Sequence, residues 1–344
     1  MAVLGFILGG HWLWLGFVFT LAATIAGDFL FGDEKETPKY GRPQILDVIL
    51  YSYLPVMAGA AVVFVCTMAS GDLFGIGAAV TAFTGYDPLT ARMINTGIDY
   101  VGAALGFGVL LAIVNTLIAH ELTHRTSDPV GLFMGRWFFA MSGGISFEVE
   151  QVYGHHHTVG QPYDASLSLR RHSYYDFFAT APIKQIVYAW DVEKKRLAKY
   201  GKSVFSIKNH MIQSALRITV VWTIIFLLGG WLAVAVYTLA FWTSKMLLEA
   251  LGFMFHHGQV RDITQPYTTR HSWNSNKRCS SVVLCNVTRH SEHHDNPDRP
   301  FYELSVVKPG AAPMLKYGAI TTAFTAFIPP LFFRFFGPQI LKWD

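Results

Sequence analysis

The feature that most narrows the possible folds is an apolar run of forty residues, 215–254, broken near Gly229-Gly230. A helix needs about 20 mostly apolar residues to cross a bilayer. The run is therefore too long for one crossing and right for a helical hairpin, with halves at 215–229 and 231–254. Three further stretches qualify as spans: 12–31, 45–68 and 95–119. Residues 1–10 lack a basic region and a small-residue cleavage site, so the first span reads as a retained anchor. Two shorter apolar segments are weaker. Residues 132–147, with Arg136 and Gly143-Gly144 inside, read as interfacial or re-entrant, and 321–336, interrupted by Pro329-Pro330, is similar in kind. The expected fold class is all-α: a polytopic membrane bundle of about five to six helices. A single domain over 1–344 is expected, with a polar cap formed mainly by 120–213 and 255–316.

Charge orients the bundle. Charged residues make up only 15% of the chain, yet the polar block 168–210 holds nine Lys/Arg, from Arg170 to Lys208, against Asp176, Asp191 and Glu193. The positive-inside bias places that block in the cytoplasm. Counting spans from it brings 33–42 and the ends of the third and fifth spans to the same face. A net charge of +4 is too diffuse for a nucleic-acid footprint. The cysteines are Cys66, Cys279 and Cys285, with no C-x-x-C pair, which excludes a disulfide framework, a zinc ribbon or a rubredoxin-type iron site.

Histidine is the anomaly, at fourteen residues in a hydrophobic chain. His120 and His124 stand in HELTH at the end of the third span; i and i+4 share a helix face. His155, His156 and His157 follow Gly154, His256 and His257 close the fifth span, and His290, His293 and His294 form H-x-x-H-H. Any one group is a weak signal, and HELTH literally matches the H-E-x-x-H pattern of zinc proteases. Taken together, four clusters on one membrane face need partners or metal, because ionisable groups at a membrane boundary are costly otherwise. At least eight histidines are twice what one tetrahedral ion can use, which implies two ions. Imidazole suits Zn, Cu, Fe and Ni alike; an apolar setting favours iron and O₂ chemistry over hydrolysis.

The strings HELTH (120–124), EVEQVYGHHHTVGQPYD (148–164), FHHGQVRD (255–262), RHSWNSNKRCSSVVL (270–284) and TRHSEHHDNPDRPFYEL (288–304) resemble, in order and spacing, the integral-membrane alkane 1-monooxygenases. GGHWLWLG (9–16) and RPFYEL (299–304) are also similar to the membrane hydroxylase component of xylene monooxygenase. The wider relatives are the membrane fatty-acid desaturases and hydroxylases. The resemblance implies a multi-pass protein of a bacterial cell membrane, with a cytoplasmic histidine cap holding two iron ions and O₂ as co-substrate. It implies the ligands His120, His124, His155, His156, His256, His290, His293 and His294. Relatives carry a further histidine at the position of Gln151, and Glu or Gln at that of Phe255. His157 and His257 have no counterpart and read as supporting or incidental.

Breaking an alkyl C–H bond needs an oxidant that no side chain supplies. A cationic imidazole site also needs acids to balance it and orient the rings. Glu121, Glu150, Asp164, Glu292 and Asp295 lie within the motifs; Glu121, Asp164 and Glu292 are the expected catalytic carboxylates, and Asp164 and Asn286 the first to test. Phe64, Leu110, Ile113, Phe138, Trp222 and Phe241 are candidates to line a cavity reached from the lipid. No nucleotide, flavin or iron–sulfur motif is present, so electrons are expected from an external rubredoxin- or ferredoxin-type donor, attracted by the basic block. The expected reaction is hydroxylation of a terminal or benzylic methyl group of a small hydrophobic molecule. The alternatives are a lipid desaturase or hydroxylase, a metal transporter and a zinc protease.

Overall fold

A computed structural model describes residues 1–343, the side chains of 115 and 116 excepted. It is an all-α bundle with no β-strand among the described residues. Helices α1 (Gly10–Phe31), α2 (Gln44–Cys66) and α3 (Gly97–His124) are long and apolar enough to cross a membrane. Two shorter helices follow, α4 (Pro129–Ser142) and α5 (Ala181–Ala198), and then the 47-residue α6 (His210–His256). The hairpin expected within 215–254 is present: Gly230 takes φ 67° and ψ −162°, a conformation closed to residues with a Cβ, and splits α6. Beside it, a Cβ on Gly229 would come within 2.7 Å of Val65, so α2 packs closely against the bend.

HELTH lies on the third spanning helix, and α3 continues through His124. Its 28 residues rise about 42 Å at 1.5 Å per residue, beyond a 30 Å hydrocarbon core, so the helix extends past the core or tilts within it. The helix starts at a capping box, Thr96 with Asp99, and contains a π-helical turn at Leu111–Thr116.

The segment expected to be interfacial resolves into α4 and, past a left-handed turn at Gly143 (φ 72°), a short helix Phe147–Glu150. Asp128 caps α4 by accepting from the Val130 and Gly131 amides, 3.0 Å each. Arg136 is neutralised by a two-pronged pair with Glu148 at 2.7–3.1 Å. Further on come α7 (His290–Asp295), α8 (Ala319–Ala326) and α9 (Pro329–Ile340); the last two are separated where Pro329-Pro330 stops one helix and starts the next.

Two large apolar cores and a small one around Val149, Ala189 and Met211 hold the elements among the described residues. One large core joins α2, α3, α4 and α6, with Phe64 stacked on Phe107 at 4.4 Å and Tyr237 donating to the Met141 carbonyl at 2.5 Å. The other lies beneath the histidine cap around Phe253, Trp273, Phe332 and Phe336. This corrects most of the expected cavity lining. Phe64 and Phe138 are core, Leu110 and Trp222 pack against that core, and Ile113 packs against the second; of the six, Phe241 borders a cavity.

The cap is tied to the bundle by buried polar contacts. Asp28 of α1 accepts from the Ser280 amide (2.8 Å) and hydroxyl (2.5 Å). Arg289, wholly buried, pairs with Glu34 and donates to the Leu304 carbonyl. Asn274, in the HSWNS string, donates to the Ser272 and Pro313 carbonyls and accepts from the Ser291 amide and hydroxyl at 2.9 Å.

Candidate metal centre

The ends of α3 and α6, the segment 151–157 and α7 converge on one buried volume, and all eight histidines named from sequence meet there. They sort into two quartets: His120, His124, His156 and His293; and His155, His256, His290 and His294. In each, one nitrogen per ring lies within 4.8 Å of the other three. Within the first, the Nε2 atoms of His120 and His124 are 3.1 Å apart. Within the second, Nε2 of His256 is 3.1 Å from that of His155 and 2.9 Å from that of His290, which is 3.1 Å from that of His294. The quartets adjoin where His156 and His294 approach to 4.3 Å between ring centres.

Neutral imidazoles cannot satisfy such an array with protons, since each has one N–H. Both nitrogens of His156 and Nε2 of His293 lack any hydrogen-bond partner although buried. Two nitrogens bound cis to one ion at about 2.1 Å would sit about 3.0 Å apart, the spacing observed. Each quartet thus fits a metal ion by donor type, spacing and unmet hydrogen-bonding capacity. Burial, reinforced by neighbouring imidazoles, holds His156, His290, His293 and His294 well below the usual histidine range, in the neutral form that ligates.

Local geometry explains the placement. His120 and His124 share a face by i,i+4 spacing; His290 and His294 do the same, and His293 one residue earlier turns to the other quartet. A second π-helical turn, Gln151–His155, carries His155. Its i,i+5 register sets Glu150 and His155 on a common side, where they group with Asp164.

The carboxylates divide. Asp164 accepts from His155 Nδ1 at 3.0 and 3.1 Å, and from the Ser166 and Gly160 amides at 2.9 and 3.2 Å. Burial opposes charge on both partners, but the pairing prevails: His155 is raised and Asp164 held low. Glu150 is buried with Oε2 unpartnered; burial pushes its carboxyl up to about 7. Glu121 is taken by Arg125 (2.7 Å) and by the Phe301 amide (3.2 Å). Glu292 is taken by Arg299 (2.7 Å) and the Ser305 amide (2.6 Å). These two brace the histidine segments against neighbouring chain. Asp295 meets Asn296, and Asn286, at φ 54°, donates to the Phe301 carbonyl at 3.0 Å.

His157 is exposed, and His257 is engaged by Ser168 Oγ (2.8 Å) and the Arg170 carbonyl (3.2 Å), outside both quartets. Phe255 stacks on His290 at 4.2 Å between ring centres, steadying by contact a ring whose Nδ1 has no partner. Gln151 lines a small cavity with His120, His155, His256 and His290, floored by Leu117 and Leu251. Sequence reasoning missed two contributors, Asn274 as the anchor of α7 and the Gln185–Glu249 pair on the cavity wall. The HSWNS string pointed at the first, and lone charges within an apolar run were the available sign of the second.

Known proteins extend the comparison. The model of the fatty acid desaturase family matches residues 100–325. Alkane 1-monooxygenase 2 of Alcanivorax borkumensis is 28% identical over 340 residues, covering 96% of this chain and 83% of its own length. The xylene/toluene monooxygenase hydroxylase component XylM of Pseudomonas putida is 24% identical over 343 residues, covering 99% and 86%. Alkane 1-monooxygenase 1 of Pseudomonas aeruginosa is 31% identical over 250 residues, covering 70% and 63%. These relatives and the apolar helices agree on an integral membrane protein. With a match that spans both histidine quartets and about two thirds of the sequence, the chain belongs to the fatty acid desaturase family.

Proposed function

We propose that this protein hydroxylates an unactivated terminal or benzylic C–H bond of a small hydrophobic molecule. One oxygen atom of O₂ enters the alcohol and the other leaves as water, with two electrons and two protons consumed. The observation that carries the proposal is the pair of histidine quartets bordering a cavity walled in part by Leu117, Phe147, Leu248 and Leu251. The relatives' names, alkane 1-monooxygenase and xylene/toluene monooxygenase hydroxylase component, give the same reaction class.

In this reading the eight histidines hold two iron ions, which supply the reductive O₂ chemistry needed to break an alkyl C–H bond. Asp164 keeps the His155 proton on Nδ1, leaving Nε2 free to ligate. Glu150 Oε2 stands ready to hold a proton beside that pair. Leu117, Phe147, Leu248 and Leu251 keep bulk water from the site and leave room for an alkyl or aryl group. Electrons come from an external rubredoxin- or ferredoxin-type protein, drawn to the face that carries Lys184, Lys194 and Lys195 of α5.

The test is metal analysis of the purified protein together with product analysis on decane, p-xylene and an acyl lipid. Two irons per chain and a primary or benzylic alcohol are expected. A single zinc, or an alkene from the acyl lipid alone, would overturn the reading.

A further inference from the structure

The 47-residue helix α6, apolar enough to cross a membrane, carries Lys245 and Glu249 one turn apart. Ionisable groups in such a segment are rare and mark sites of function once their partners are known. Here the Lys245 ammonium donates to Glu249 Oε1 at 2.5 Å and to Gln185 Oε1 of α5 at 3.0 Å, and Gln185 Nε2 donates to Glu249 Oε2 at 3.1 Å. Glu249 and Gln185 are buried, and Lys245 is partly open. Their hydrogen bonds join them to one another and not to a histidine of either quartet.

The triad stands between two cavities. Glu249 and Gln185 line the inner one, of about 60 Å³, which ends on His120, His155, His256 and His290. Lys245 lines the outer one, of about 140 Å³, whose walls include Ile186, Phe241 and Trp242. Phe147 and Leu248 border both, forming the neck between them. Ile186 and Trp242 are 44% and 49% exposed, so the outer cavity reaches the protein surface.

An ammonium has three N–H donors. Two are used within the triad, and the third is left for the outer cavity. A bare hydrocarbon cannot accept it. The Lys245–Glu249 pair is neutral overall, so a carboxylate would meet Glu249 unfavourably, whereas a hydroxyl or carbonyl oxygen accepts from Lys245 without an unpaired charge. Eleven residues separate Lys245 from His256, a rise of about 16 Å along the helix. That distance suits an alkyl chain of medium length running from the triad through the neck to the histidines.

We propose that Lys245, held by Gln185 and Glu249, binds an uncharged oxygen at one end of a medium-length alkyl chain whose far end reaches the histidine quartets. The substrate class thus includes chain alcohols and carbonyl compounds besides bare hydrocarbons. The assignment of the far end as the oxidised one rests on the proposed function. The binding site itself does not, and its test uses binding alone: a protein that binds as described but hydroxylates nothing would count against the proposed function only.

The experiment is equilibrium binding of radiolabelled 1-decanol and decane to the full chain in lipid nanodiscs, corrected against empty nanodiscs, for the wild type and Lys245→Met. Wild type is expected to bind 1-decanol more tightly than decane, and the substitution to reduce that preference about tenfold or more, as for loss of a hydrogen bond to a charged group. Because Lys245→Met leaves Glu249 buried without its partner, Lys245→Met/Glu249→Leu, which removes both charges, is measured in parallel. A wild type with no preference for 1-decanol, or a folded variant that keeps the preference, would overturn the proposal; a triad serving only to join α5 to α6 would shift the melting temperature and leave the ratio unmoved.

Discussion

Asp164→Asn tests the second quartet with little change in shape. Asp164 is buried and spends its oxygens on His155 Nδ1 at 3.0 and 3.1 Å and on two backbone amides. Asparagine fills the same volume, but its amide nitrogen must then face an N–H that previously met an oxygen. The least costly rearrangement moves the His155 proton to Nε2, the atom that the proposed metal site requires. Losing a hydrogen bond to a charged group costs about 1.5–3 kcal/mol, roughly 10- to 150-fold in affinity. Removal of a carboxylate behind a histidine ligand typically costs about 10- to 100-fold. Only the quartet of His155, His256, His290 and His294 should weaken; that of His120, His124, His156 and His293 does not contact Asp164. Anaerobic ferrous iron titration of the metal-free protein, with bound iron measured after dialysis, should show two sites of similar affinity in the wild type and one weakened site in the variant. Equal affinity at both sites in Asp164→Asn would refute the argument that Asp164 sets the His155 tautomer.

Other outcomes follow from the same geometry. His294→Ala or His290→Ala should lower bound iron and abolish hydroxylation, read by elemental analysis and product formation; unchanged turnover would count against the quartet. Gln151→His, placed on the cavity wall beside His155 and His256, should hold or raise iron occupancy, and a clear loss would mean that position does not face the site. Metal-free protein should lose stability as pH falls below about 6.5. His156, His290, His293 and His294 stay neutral when folded but take up protons when unfolded, at up to about 1.4 kcal/mol per pH unit for each, and melting curves between about pH 7.5 and 5.5 would show it. Glu34→Gln strands the buried Arg289 and should cost about 3–5 kcal/mol, measured by denaturant unfolding; a change below about 1 kcal/mol would remove that pair from the account of how the cap is held.

Legibility followed the range of each interaction. Spans, the hairpin at Gly229-Gly230 and the metal-binding character of four histidine groups depend on residues within a few turns of one another. HELTH shows both sides: its i,i+4 pair on the third helix was plain, but the histidines that meet it from 156 and 293 were not. Arg136 looked like a marker of an interfacial segment until Glu148, twelve residues on, supplied its charge partner. Glu121 and Glu292 stand beside histidines in sequence, but their partners Arg125 and Arg299 were visible only in the fold.

The sequence alone determined that this chain is helical and membrane-embedded and that it carries enough imidazole for two ions, because hydropathy and donor type are properties of the residues themselves. Only the tertiary structure decided which histidines come together in one quartet. His155 and His156 are adjacent yet join different quartets, since successive side chains on a helix point about 100° apart and each meets the ring that α3, α6 or α7 presents on its own side.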